Sequence, residues 1–152
     1  MTAPQSVVKD DVQREIPKPI DREKICPLLL RVFCSTSRHN PLSEYDRGRT
    51  PSNELQIYTW MDATLKELTA LVKEVNIDAK RKGTFFDFAI VFPDTRSPVY
   101  RMREIGTTCA GKRGADDELT LAGKRFQIGD YIDIAITPPR GDRRDMGRDR
   151  RY

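Results

Sequence analysis

The sequence predicts an α+β fold with one helix across a mixed sheet, and three observations carry that prediction. Five runs of strand length and composition occur at residues 28–33, 55–60, 85–92, 99–105 and 126–136. One segment, beginning at Thr64, places its apolar residues at helical spacing instead. It follows the second strand, so the order is β-β-α-β-β-β, and one helix over a sheet is a two-layer roll.

Each element has its own warrant. Leu28-Leu29-Leu30-Arg31-Val32-Phe33 is a short apolar run ending in polar residues, which suits a central strand. Residues 35–53 hold Ser, Thr, Asn, Gly and two prolines and form a long loop. Leu55-Gln56-Ile57-Tyr58-Thr59-Trp60 alternates and is rich in β-branched and aromatic side chains. Thr64 and Glu67 fit a capping box, each side chain serving an orphan amide of the first turn. Leu65, Leu68, Leu71, Val72 and Val75 then share one helical face, and Lys80-Arg81-Lys82 before Gly83 suit the negative end of the helix dipole. Phe85–Phe92 and Val99–Ile105 are the third and fourth strands. The fifth, Phe126–Ile136, is expected to kink near Gly129-Asp130. Within the intervening loop, 107–125, Asp117-Glu118-Leu119-Thr120-Leu121 suits a short helical turn. This order is that of the β-grasp, or ubiquitin-like, roll.

Composition places the boundaries. Of 152 residues, 38% are hydrophobic and 33% charged, against about 45–50% and about 25% in an ordinary soluble domain. Part of the chain therefore cannot bury a core. Residues 1–24 combine Pro4, Pro17 and Pro19 with balanced charge and read as a flexible arm. Residues 140–152 contain no Leu, Ile, Val or Phe and read as a disordered Arg-rich tail. The domain is then 25–139. The formal charge is +4, of which the tail, with six Arg and three Asp, supplies +3. A nearly neutral body offers no domain-wide nucleic-acid footprint. No apolar run approaches the ~18–20 residues of a membrane span, and Met1-Thr2-Ala3-Pro4 opens no signal peptide, so a soluble, unexported chain without a membrane partner is expected.

Catalytic and metal chemistry find little support. Cys26, Cys34 and Cys109 form no CxxC, and with His39 alone beside them give no zinc spacing. Cys26 and Cys34 bracket one strand, about 26 Å apart at ~3.3 Å per residue, so they are expected as reduced thiols. Gly106-Thr107-Thr108-Cys109-Ala110-Gly111-Lys112-Arg113 matches a phosphate-binding loop except at its last position. That loop needs a hydroxyl for Mg²⁺ and a helix starting there; Arg113 replaces the hydroxyl, and Asp116-Asp117 follow, so a flexible loop is expected. His39, in a polar loop between Arg38 and Asn40, has no sequence neighbour to orient it and reads as solvated. No cofactor is implied, and the chain is not expected to be an enzyme. No Gly-Gly occurs, which excludes conjugation as a ubiquitin-like modifier.

What remains is a surface. Pleat parity sends Leu28, Leu30, Val32, Leu55, Ile57, Ile132, Ile134 and Ile136 to the helix. The opposite face receives Leu29, Phe33, Tyr58, Trp60 and Tyr131, with Arg31 and Asp133 among them. Large apolar side chains there call for a cover, from loop 35–53 or the arm, or for a partner. The partner reading adds Arg38 and Tyr45 from the loop, since Trp, Tyr and Arg are the usual hot-spot residues. A rival reading has the tail arginines Arg143, Arg144, Arg148, Arg150 and Arg151 bind RNA directly, with Tyr58 and Trp60 as stacking platforms.

The same segments carry a family resemblance. Ile20-Asp21-Arg22-Glu23-Lys24, Cys26 through Phe33, Glu54 through Trp60 with Asp62 through Leu68, and Ile128 through Pro139 resemble the eighteen-kilodalton Sin-associated polypeptide family of histone-deacetylase complex subunits. Ile25 stands where the family pattern has Thr, and Arg38-His39-Asn40 departs from a fuller His pair. The resemblance implies a ubiquitin-like, non-catalytic adaptor, nuclear with the cytoplasm as a second location. It implies partners in the Sin corepressor complex, and Acinus or Pinin with a serine-rich RNA-binding protein in apoptosis- and splicing-associated complexes linked to exon junctions. RNA contact would then be mainly indirect.

Overall fold

In the computed structural model, the structure describes residues 20–96 and 99–139. Most of the arm and all of the tail, with Arg143, Arg144, Arg148, Arg150 and Arg151, lie outside the described residues. Strands β1 (Leu28–Thr36), β2 (Glu54–Thr59), β3 (Phe85–Pro93), β4 (Tyr100–Cys109) and β5 (Tyr131–Thr137) form one sheet in the order β2-β1-β5-β3-β4. β1 and β5 run parallel at its centre; the other neighbours are antiparallel. Helix α1 (Leu65–Val75) lies across one face, giving an α+β roll.

The inner face follows the expected parity. Leu30, Val32, Ile57, Ile132, Ile134 and Ile136 are buried with Leu65, Leu68 and Val72 of α1, while Leu28 and Leu55 pack at the margin. Phe86, Phe88 and Ile90 complete this core. β5 lies between two strands, and both its faces are covered along Ile132–Ile136.

Four local departures have physical causes. Thr64 Oγ1 accepts from Glu67 N at 3.1 Å, but the Glu67 carboxylate is turned to Arg22, so the capping box is only half made. The segment 115–121 forms turns rather than a helix. Its Leu119 and Asp117 carbonyls accept from Leu65 N and Lys66 N at 2.9 and 3.1 Å, and so satisfy amides that a helix N-terminus leaves open. α1 ends at Val75 rather than at the basic triplet, because Asn76 caps it and its side chain also opens a 3-10 turn, Ile77–Lys80. β5 starts at Tyr131, since Gly129 has φ +104° and Asp130 Oδ2 holds Gln127 N at 3.0 Å; Phe126 is buried before that turn.

β4 runs past Ile105 to Cys109. Phe88 pairs with Gly106 and Ala89 with Glu104, leaving Ile105 as a bulge. Gly106–Cys109 is therefore strand, not flexible loop, and a turn rather than a helix follows it. A phosphate-binding loop of the nucleotide type is excluded on backbone grounds.

Candidate protein-docking surface

The sheet's second face divides into a covered part and an open part. Loop 37–53 folds back over it, with a 3-10 segment at Leu42–Gly48 that reaches β4. Beneath it Phe33 and Tyr45 are fully buried with Val91, and Tyr100, Met102 and Tyr131 pack around them. Phe33 meets Tyr45 and Tyr131 edge-on at 5.5 and 5.4 Å. Tyr131 stacks against Tyr45 and Tyr100 at 5.6 and 5.9 Å, and those two rings lie 6.5 Å from each other. Aromatic pairs so arranged add about 0.5–1.5 kcal/mol each beyond burial.

A buried carboxylate fastens this cover. Asp133 is wholly inaccessible and accepts from His39 Nδ1 at 2.7 Å, Asn40 Nδ2 at 2.9 Å, Asn40 N at 3.3 Å and Tyr45 Oη at 2.5 Å. Its hydrogen bond raises the His39 pKa above the ordinary imidazole value. Burial, then Asp133, push the Tyr45 phenol well above its usual range. His39 is thus mostly enclosed and acid-paired, not solvated, because folding brings to it an acid that lies 94 positions away. Phe33 and Tyr45 are corrected likewise: Phe33 is core under the loop and Tyr45 is the loop's own buried anchor, so neither has surface to offer a partner. Tyr131 is half-buried in their stack, and Arg38 is exposed, its carbonyl accepting from Ser35 Oγ.

The end of the arm provides a second cover. Arg22 bonds Asp62 Oδ1 and Glu67 Oε2, both at 2.8 Å, and its guanidinium lies 4.8 Å from the Trp60 ring centre. Trp60 Nε1 donates to Ile25 O at 2.7 Å. Both carboxylates raise the Arg22 pKa, chiefly through their hydrogen bonds. Trp60 is therefore engaged on its face and at its nitrogen, which weakens its case as a base-stacking platform.

The open part is the β1–β2 strip. Leu29 and Tyr58 stand directly opposite each other in the register, 39% and 68% exposed, with Ile25 at 53% beyond them. β2 is an edge strand. Arg31 and Glu54 close the strip toward the covered part with bonds of 2.5 and 2.9 Å, and this pairing holds Glu54 down at about 2. Among the described residues no group of three His, Cys, Asp or Glu side chains could hold a metal, and no helix is long and apolar enough to cross a membrane.

The family model for Sin3 associated polypeptide p18 (SAP18) matches residues 19–136. The chain belongs to the SAP18 family. It is 57% identical over 153 residues to a human protein named histone deacetylase complex subunit SAP18, covering 100% of both chains. It is 64% identical over 122 residues to the Drosophila melanogaster protein of that name, covering 80% of this chain and 81% of the relative. With the Arabidopsis thaliana protein the identity is 46% over 136 residues, 88% of this chain and 89% of the relative. The SAP18 match takes in the Arg22 clamp, the Asp133 network and the open strip, and stops before the Arg-rich tail.

Sequence reasoning put Asp133 on this face but gave no role to it, to Arg22 or to Tyr100. A signal existed for Asp133, an acid in a central strand flanked by apolar residues. Such a strand is buried on both faces, and a buried carboxylate needs donors.

Proposed function

We propose that this chain is a non-catalytic nuclear subunit of a histone-deacetylase corepressor complex, acting as an adaptor. The carrying observation is its likeness, over most or all of both chains, to animal and plant proteins named histone deacetylase complex subunits. The strand order with a parallel central pair and one crossing helix supports a β-grasp body. The arm ends and the tail begins at that body's edges, as the division at residues 24 and 140 proposes. Docking uses the open strip: an extended segment of another subunit adds along the free edge of β2, with side chains against Leu29 and Tyr58. The Sin-type scaffold is the first such partner. The family resemblance extends the proposal to Acinus or Pinin and a serine-rich RNA-binding protein in splicing-associated assemblies, where RNA contact belongs mainly to the partners.

The test is affinity purification of the full chain from nuclear extract beside a Leu29→Ala/Tyr58→Ala variant. Trp60 is left intact because the clamp holds it. The wild type should recover deacetylase and Sin-type subunits, and the variant should lose them at an unchanged melting temperature. Unaltered recovery by the variant sinks the strip as the docking site. Absence of deacetylase subunits from the wild-type eluate sinks the corepressor reading itself.

A further inference from the structure

On the helix face of the molecule, away from the strip, a cleft of about 280 Å³ opens between α1 and the turn after β4. Lys66, Thr69, Ala70 and Lys73 stand at i, i+3, i+4 and i+7, so α1 presents them as one stripe. The turn supplies Lys112 and Arg113 from the other wall. Four cations thus face a cleft whose one acidic lining residue is Asp117, and the Asp117 carboxylate already accepts from Gly114 N at 3.1 Å. Among the described residues none of the four makes an ion pair with the protein. Thr69 and Thr108 are buried in its lining, their hydroxyls 2.6 Å apart and Thr69 Oγ1 also bonded to Leu65 O, so the charge at this cleft comes from the lysines and the arginine. Lys82 adds bulk at the rim, where a Cβ on Gly111 would lie 2.6 Å from its Cγ.

We propose that this cleft binds a phosphate monoester. The domain body is close to neutral, so four unpaired cations in one concavity are a local concentration rather than a share of general basicity. Such an excess calls for a compact, multiply charged anion. A monoester carries about −1.5 to −2 at pH 7 and three strong acceptor oxygens, which lysines and an arginine can meet from two walls. A nucleic-acid strand is the poorer match. Each of its diesters carries one charge, and single strands rely on aromatic platforms, whereas the lining has no aromatic side chain. Recognition here comes from side chains on α1 and on the turn after β4, while the Leu65 and Lys66 amides that open α1 are already taken by the Leu119 and Asp117 carbonyls, so it is not a nucleotide loop. A phosphorylated serine or threonine on a partner and a free small phosphate ester share the required chemistry.

The experiment is an amide chemical-shift titration of the full ¹⁵N-labelled chain at constant ionic strength. The probes are inorganic phosphate, a phosphoserine pentapeptide, its unphosphorylated form and a uridine decamer. Saturable shifts confined to residues 66–73 and 108–114, with phosphate and phosphopeptide but not the unphosphorylated peptide, are expected. Tighter binding of the phosphopeptide assigns the source to a modified side chain; equal or tighter binding of inorganic phosphate assigns it to a free ester. Lys66→Gln/Arg113→Gln, and separately Lys73→Gln/Lys112→Gln, should each weaken binding at least tenfold at an unchanged melting temperature. Shifts that fail to saturate, or that survive both variants, overturn the proposal. So does tighter binding of the uridine decamer at the same residues, which would give the cleft to a nucleic-acid backbone.

Discussion

Replacing Asp133 with alanine removes one acceptor and strands three residues. In the folded protein its carboxylate takes four hydrogen bonds, from His39, Asn40 twice, and Tyr45. Hydrogen bonds to a charged group contribute about 1.5–3 kcal/mol each, but they are not additive, and an opened loop lets water reach His39 and Asn40. Tyr45 has no such escape while its ring remains buried against Phe33 and Val91. Its hydroxyl is left unpaired at a cost of about 1–3 kcal/mol. Losing one partner of a buried charged network costs about 3–5 kcal/mol in all, and we take about 4 kcal/mol for Asp133→Ala. Against a total of about 5–15 kcal/mol that is a large fraction. At about 3–5 °C per kcal/mol for a domain of this size, the melting temperature should fall by roughly 12–20 °C.

Urea unfolding followed by circular dichroism measures the loss. Hydrogen exchange locates it, with faster exchange expected for amides of residues 39–48 and little change in α1. Tyr45→Phe keeps the ring stack and removes one donor, so a cycle with Asp133→Ala should return a coupling of about 1–3 kcal/mol. A loss below about 1 kcal/mol for Asp133→Ala, or strictly additive effects in the cycle, would refute the claim that Asp133 fastens the loop.

Three further outcomes follow from the same geometry. His39 has a folded pKa above its unfolded value of 6.5. Its ion pair with Asp133 therefore contributes fully below pH 6.5 and is lost as pH rises through the higher folded value; unfolding free energies from pH 6 to 9 should show this decline, and His39→Gln should flatten it. Arg22→Ala removes two half-buried ion pairs and a ring contact, so about 1–2 kcal/mol is expected, together with a red shift of the Trp60 emission. Gly106→Ala would set a Cβ 2.7 Å from Leu65 Cδ1 and 3.2 Å from Asp116; calorimetry should show a loss of about 1–3 kcal/mol, the cost of overpacking.

How much of this was legible in the sequence depends on the range of each interaction. The inner core was, because alternation in β1, β2 and β5 and the 3.6-residue spacing of α1 are local patterns that burial enforces. The Thr64 cap was legible for the same reason. The Glu67 half of the box was not, because Arg22 competes for that carboxylate from 45 positions away. Parity did place Phe33, Tyr131 and Asp133 on the second face, yet it could not say what lies above them. That answer depends on loop 37–53 closing through His39, Asn40 and Tyr45, whose contacts with Asp133 span 88 to 94 positions. The strand end at Cys109 was hidden by a bulge, which breaks the alternation that would have announced it.

The position of the open strip follows from where the loop can reach. Leaving β1 at Thr36, the chain turns back at Ser37, whose amide bonds Ile136 O at 2.8 Å, and crosses β5 toward β4. It returns to β2 only at Glu54, opposite Phe33, where Cys34 N bonds Asn53 O, and so leaves Leu29 and Tyr58 near the other end of the strand pair exposed. Arg31 stands on the divide. Its guanidinium lies 5.6 and 5.2 Å from the Phe33 and Tyr131 rings on the covered side, and its nitrogens bond Glu54 on the open side. The strip is therefore bounded on that side by a wall already formed by an aromatic stack and an ion pair, and loop 37–53 does not lie over it. The second face of the sheet is thus covered at Phe33, Val91 and Asp133, while Leu29 of β1 and Tyr58 of the edge strand β2 stay exposed beside that cover.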